Sequence, residues 1–162
     1  EIDFPYFIEK KAPVTGSVGL MEYRCSLMGT VGKRREFKVG VRVPVQTLCP
    51  CSKEISEFGA HNQRGLVTVI VRYERFFWIE DLISLIEGCA SSPVYPILKR
   101  PDEKYVTEYA YEHPMFVEDV VRQVASTLST KSEFSWYSVE AENFESIHNH
   151  SAYAYIESET HG

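Results

Sequence analysis

The 162-residue chain has no excess of basic residues: 17 Lys and Arg stand against 23 Asp and Glu, a formal net charge of −6. That excludes a protein gripping a nucleic-acid backbone through a basic face, although a few local cations can still hold a small anion. Long apolar runs are missing too. None approaches the roughly 18 to 20 residues that a membrane-crossing helix needs. Only four cysteines occur, Cys25, Cys49, Cys51 and Cys89. That is no disulfide scaffold for a chain of this size, and a reducing, cytoplasmic compartment is the expectation. Repeats and linker-like Gly/Ser stretches are absent, so the length reads as one domain able to bury a core. Neither a Walker-type glycine loop nor a G-x-G-x-x-G turn is present, which excludes nucleotide binding of those two kinds. The first residues, Glu1-Ile2-Asp3-Phe4-Pro5, include no initiator Met and nothing like a signal segment.

What is present begins with periodicity. Over residues 36–47, Phe37, Val39, Val41, Val43 and Val45 fall on one face and Lys38, Arg42 and Gln46 on the other, which predicts a strand. With an extended stretch at 17–28 and the turn residues Gly29-Thr30-Val31-Gly32, it predicts a β-hairpin over 17–47. Residues 66–73 are near-continuously apolar and β-branched, as in a strand covered on both faces. Helical spacing of Ile79, Leu82, Ile83 and Ile86 predicts a helix ending near Gly88. A second helix is predicted over 114–127, with Phe116, Val117, Val120, Val121, Val124 and Leu128 as its stripe. Strands are expected again around 132–141 and 151–157. The pattern is α+β with an antiparallel sheet.

Four segments carry chemistry. Cys49-Pro50-Cys51-Ser52-Lys53, continuing through His61 and Arg64 to Gly65, holds two thiols, an imidazole and several charges with little apolar content. A thiolate attacks or ligates, yet a lone Cys-x-Cys is also common as an incidental pair. Glu145-Ser146-Ile147-His148-Asn149-His150 places two imidazoles two residues apart, on one side of an extended backbone. They could ligate a metal or move protons near neutral pH, or sit in a surface loop by chance. Leu98-Lys99-Arg100-Pro101-Asp102-Glu103-Lys104-Tyr105 joins the two predicted helices. It reads either as a solvated loop or as a hard oxygen ligand, Glu103, beside cations that could face phosphate. Glu118, early in the second helix, is either a surface acid complementing the dipole or a carboxylate for a flat base such as guanine. Cys, His and Glu together suit borderline-soft divalent metals such as Zn²⁺, and no structural zinc-finger spacing is present.

In this order, these four segments resemble the prokaryotic type IB GTP cyclohydrolase I family, the FolE2-like family, over nearly the whole chain. The resemblance implies the tunnelling fold (T-fold): an antiparallel sheet with two helices packed on one side, multimerised into a barrel, with a homotetramer as the inherited expectation. It implies conversion of GTP to 7,8-dihydroneopterin triphosphate and formate, the first step of folate biosynthesis, with archaeal relatives forming a cyclic phosphate instead. By position, Cys49, His61 and Glu103 correspond to the ligands of a divalent metal, with Zn, Mn and Fe all open. Glu118 corresponds to the guanine anchor, and His148 and His150 to catalytic acid and base residues. Cys49 and Cys51 both belong to the catalytic set, Cys51 at the rim, and Glu145 would assist near the metal. Lys53, Arg64, Lys99, Arg100 and Lys104 are the cations available for the triphosphate. The family's subunits are longer, so residues 1–162 are expected to be a single catalytic domain forming the C-terminal portion of a subunit.

Two alternatives remain at this level. The NADPH-dependent nitrile reductase of queuosine precursor synthesis shares the fold, a Cys nucleophile and a base-anchoring Glu, but His61 and the His148/His150 pair favour a hydrolase. A non-enzymatic, metal-stabilised binding module would instead show four protein ligands and no open position.

Overall fold

Apolar–polar alternation builds a single antiparallel sheet. The computed structural model of the protein describes residues 1–32 and 35–159. Its strands are β1 (Ile2–Lys11), β2 (Val18–Val31), β3 (Arg35–Leu48), β4 (Asn62–Tyr73), β5 (Ser92–Pro93), β6 (Phe134–Phe144) and β7 (Ser151–Glu157). They run in the order β1-β2-β3-β4-β6-β7, with β5 paired to β3. The helices are α1 (Pro50–Ile55), α2 (Ile79–Glu87), α3 (Arg100–Glu112) and α4 (Val117–Ser129). None of them is long and apolar enough to cross a membrane.

The hairpin expected over 17–47 is β2–β3, but its turn comes later than predicted. Gly29, Thr30 and Val31 still pair with Phe37, Glu36 and Arg35, because β-branched residues keep to the ladder; residues 33 and 34 lie outside the described residues. From Arg24↔Arg42 onward β2 no longer pairs with β3. Its place is taken by β5, through Val45↔Pro93 and Gln46↔Ser92.

Helices α2 and α4 cover one face of the sheet, as the two predicted helices should. Val41, Val43 and Val45 of β3, Val67, Val69 and Val71 of β4 and Val139 of β6 meet Leu82, Ile83 and Ile86 of α2 and Val120, Val121, Val124 and Leu128 of α4. Each such side chain, fully buried, contributes about 1.5–3 kcal/mol. The expectation that β4 is covered on both faces is corrected: Leu66, Thr68 and Ile70 are only partly buried on the opposite face, because both covering helices lie on one side.

Beyond the two predicted helices the described residues form two more, giving four among them. The 98–105 segment is the start of α3, not a loop. Pro101 suits the first turn, where its missing N–H costs nothing, and Lys99 N donates to the Asp102 carboxylate at 2.9 Å. The other, α1, is six residues starting at Pro50. Strand β1 was likewise not anticipated.

Candidate active site

The last pairing of β3 with β4 brings the first two chemical residues together. Leu48 pairs with Asn62, and one step outward Cys49 N donates to the His61 carbonyl at 3.1 Å. Between them α1 makes a short excursion. Cys49 caps it, its Sγ accepting from Ser52 N at 3.4 Å, while Ser52 Oγ accepts from His61 N at 3.2 Å. Ser52 therefore ties both residues to one turn. Cys49 and His61 are half-buried and Cys51 is exposed.

The loop between β6 and β7 folds over this junction. His61 Nδ1 lies 3.1 Å from Ser146 Oγ, and Gln63 Nε2 donates to Glu145 at 3.2 Å. Among the described residues, His61 Nε2 has no hydrogen-bond partner. His148 and His150 are both exposed, with ring centroids 5.1 Å apart and planes 20° apart. The extended backbone expected there is replaced by a series of bends, and the two imidazoles converge by stacking instead of by strand alternation.

Two helices complete the surroundings. Met115 N donates to the Leu48 carbonyl at 3.0 Å, which fastens the lead-in to α4 beside Cys49. Glu118 follows in the first turn of α4, exposed. From α3, Thr107, Glu108, Tyr111 and Glu112 line a cleft of about 470 Å³ whose other wall includes Phe58, Gly59 and Asn62. A second cleft of about 270 Å³ lies among Gln46, Asn62, Gln63, Arg64, Phe144 and Ser146. A further cavity, about 580 Å³ and lined by Phe76, Trp78 and Phe134, sits at the other end of the sheet.

A family model described as type I GTP cyclohydrolase folE2 matches residues 1–154. The chain belongs to that family. It is 62% identical over 157 residues to GTP cyclohydrolase FolE2 of Geotalea uraniireducens (strain Rf4), a match covering 97% of this chain and 58% of the relative. It is 64% identical over 160 residues to GTP cyclohydrolase FolE2 of Syntrophus aciditrophicus (strain SB), covering 98% and 63%. The chain thus spans about three-fifths of the length of the curated relatives it matches.

Not every residue singled out for the cyclohydrolase family is gathered by the fold. A Cys thiolate and a His with a free Nε2 are donors of the kind a borderline-soft divalent ion takes. Ser146 on Nδ1 is the outer contact that orients such a His. The third expected donor does not join them. Glu103 Oε2 instead accepts from Arg100 at 2.7 Å, and among the described residues no three His, Cys, Asp or Glu side chains form a group that could hold a metal. The cations are spread as well. Lys104 pairs with Glu108 at 2.7 Å, and Lys53 donates to the Tyr111 carbonyl at 2.6 Å. Lys99 stands just ahead of α3, and Arg64 lines the smaller cleft. Gln63 lies in the Cys49–Gly65 segment, but between Asn62 and Arg64 nothing in the sequence sets it apart from its polar neighbours.

Proposed function

We propose that this chain is the catalytic portion of a GTP cyclohydrolase, converting GTP and one water to 7,8-dihydroneopterin triphosphate and formate at the start of folate biosynthesis. The observation that carries this reading is the 3.1 Å contact of His61 with Ser146, which brings the loop of His148 and His150 onto the Cys49–His61 junction. The family match supports hydrolysis over nitrile reduction, and the open clefts favour an enzyme over a closed binding module.

In this reading Cys49, His61 and Glu103 would hold a divalent metal, Zn, Mn or Fe, only once Glu103 left Arg100 and joined the other two, from which it stands apart in this structure. Such an ion would acidify water and so supply a nucleophile for C8 of the guanine. His148 and His150 donate and accept the protons that ring opening, formate release and ring closure require. Glu118 accepts hydrogen bonds from N1–H and the exocyclic amine of guanine. Adenine offers an acceptor at N1 and would leave that carboxylate facing a lone pair, which rejects it. Lys53, Arg64, Lys99, Arg100 and Lys104 supply charge for the triphosphate, and Cys51 lies at the rim. The family's tunnelling fold and homotetramer agree with exposed apolar side chains at both edges of the uncovered sheet face, Phe7 and Leu20 at one and Tyr153 at the other. The enzyme works in the cytoplasm. The direct test is GTP turnover by the full chain, stripped of metal and resupplied with single divalent ions, with formate as readout. Absence of formate under every ion would refute the reading.

A further inference from the structure

Thr47 and Gln63 face one another across β3 and β4 on the helix-covered side of the sheet. Thr47 is fully buried and Gln63 is 7% exposed. Yet Thr47 Oγ1 and Gln63 Oε1 are both buried without a hydrogen-bond partner. Side chains directly opposite in such a ladder have Cβ atoms about 4.5–5.5 Å apart, so the two buried side chains are immediate neighbours on the covered face. The orientation of the Gln63 amide is fixed by its neighbour: Nε2 donates to the Glu145 carboxylate, and a flipped amide would set oxygen against oxygen. Gln63 Oε1 therefore needs a donor, and the Thr47 hydroxyl is a donor in need of an acceptor. Leaving both unmet would cost the desolvation of two polar groups, which folded proteins avoid by burying a water between such partners.

We propose that Thr47 and Gln63, bridged by one buried water, are positioning residues that hold Glu145 and with it the loop bearing His148 and His150. Two side-chain contacts tie this loop to β4 and the residue before it. One is Ser146 on His61, and the other is Glu145 on Gln63. The Thr47–water–Gln63 chain fixes the second tie from inside the sheet, out of reach of solvent. An anchored Glu145 gives the following residues a set origin from which His148 and His150 reach their stacked arrangement. The kinetic part of the inference rests on the cyclohydrolase reading; the structural part does not.

The test compares the full chain with its Thr47→Val, Thr47→Ser and Gln63→Leu variants by thermal unfolding, by hydrogen exchange over 145–150 and by formate release from GTP. Valine matches threonine in shape but has no hydroxyl. If Thr47 Oγ1 were a true orphan, Thr47→Val would remove a desolvation cost and raise Tm. If it holds a water on Gln63, Tm falls and exchange of 145–150 quickens, while Thr47→Ser stays close to the parent. Gln63→Leu is expected to lower kcat on the order of 10- to 100-fold with KM for GTP within about twofold, the split that a positioning role gives. A Tm raised or unchanged in Thr47→Val, or exchange over 145–150 unaltered in both variants, would overturn the proposal, and Thr47→Val decides it even where Gln63→Leu fails to fold. If the parent chain itself releases no formate, the cyclohydrolase reading fails, and exchange and Tm still decide the positioning role.

Discussion

Replacing Glu87 with Leu tests what fastens the β1–β2 hairpin to α2. Glu87 Oε1 accepts from Lys10 Nζ at 2.6 Å and from Tyr23 Oη at 2.7 Å, and side-chain exposures of 13% and 11% for Lys10 and Glu87 make the pair nearly buried. Burial lowers the pKa of Lys10, an effect that Glu87 opposes, and burial together with Glu87 raises that of Tyr23. Removing the carboxylate leaves a buried ammonium with no counter-charge, a loss of about 3–5 kcal/mol, in which the orphaned Tyr23 hydroxyl accounts for about 1–3 kcal/mol. The double variant Lys10→Met/Glu87→Leu removes the stranded charge as well and should recover most of that loss. Adding Tyr23→Phe should bring stability close to the parent. Urea denaturation of the full chain at neutral pH measures each step. A Glu87→Leu cost below about 1 kcal/mol, or a double variant no more stable than the single, would refute the reasoning, for the pair would then act like a solvated surface bridge.

Other outcomes follow from the same geometry. Cys25 is buried with its thiol pushed up to about 11 by burial and then by Glu80, and burial also raises Cys89, so a thiol reagent at neutral pH should modify Cys49 and Cys51 rapidly and the other two only on unfolding. Burial pushes the Asp102 carboxyl upward, but hydrogen bonds from Thr15 N, Lys99 N, Thr15 Oγ1 and Val14 N outweigh it and hold the pKa below the usual range. A depressed folded value contributes stability above the unfolded pKa of about 4 and loses it as pH falls through the folded one. Asp102→Asn should therefore flatten the dependence of the urea midpoint on pH below about 4, which a denaturation series down to acid pH would check. If Glu118 anchors guanine as proposed, Glu118→Gln turns one carboxylate oxygen into a donor facing donors; kcat/KM for GTP should then fall on the order of 100-fold, with Tm unchanged because the residue is exposed.

The strands and helices that build the core announce themselves by period. Val39 to Val45 alternate, and Val117 to Leu128 recur at helical spacing, because each buries one face against the other. Helix α3 was missed for the opposite reason: only Asp102, Val106 and Ala110 are buried along it, so its polar surround has the composition of a loop. In β1, Pro5 and flanking charges mask the half-buried Phe4, Tyr6 and Ile8, as is common at a sheet edge. At the candidate site, residue types and their order single out Cys49, His61, His148, His150 and Glu118. Their relative positions are set by long-range pairing, which no local pattern encodes, and the engagement of Glu103 with Arg100 depends on a helix that composition concealed.

The hydrogen bond between Cys49 N and the His61 carbonyl also bears on how the protein can change over time. Thiol and imidazole are spaced by the ladder and by the Ser52 contacts to both, so their separation does not depend on the far part of the excursion between them. Residues 54–60 can be lengthened, shortened or rewritten, as surface excursions generally are, while the two groups stay in register. A lineage could thus reshape the rim that meets substrate without disturbing the pair beneath it.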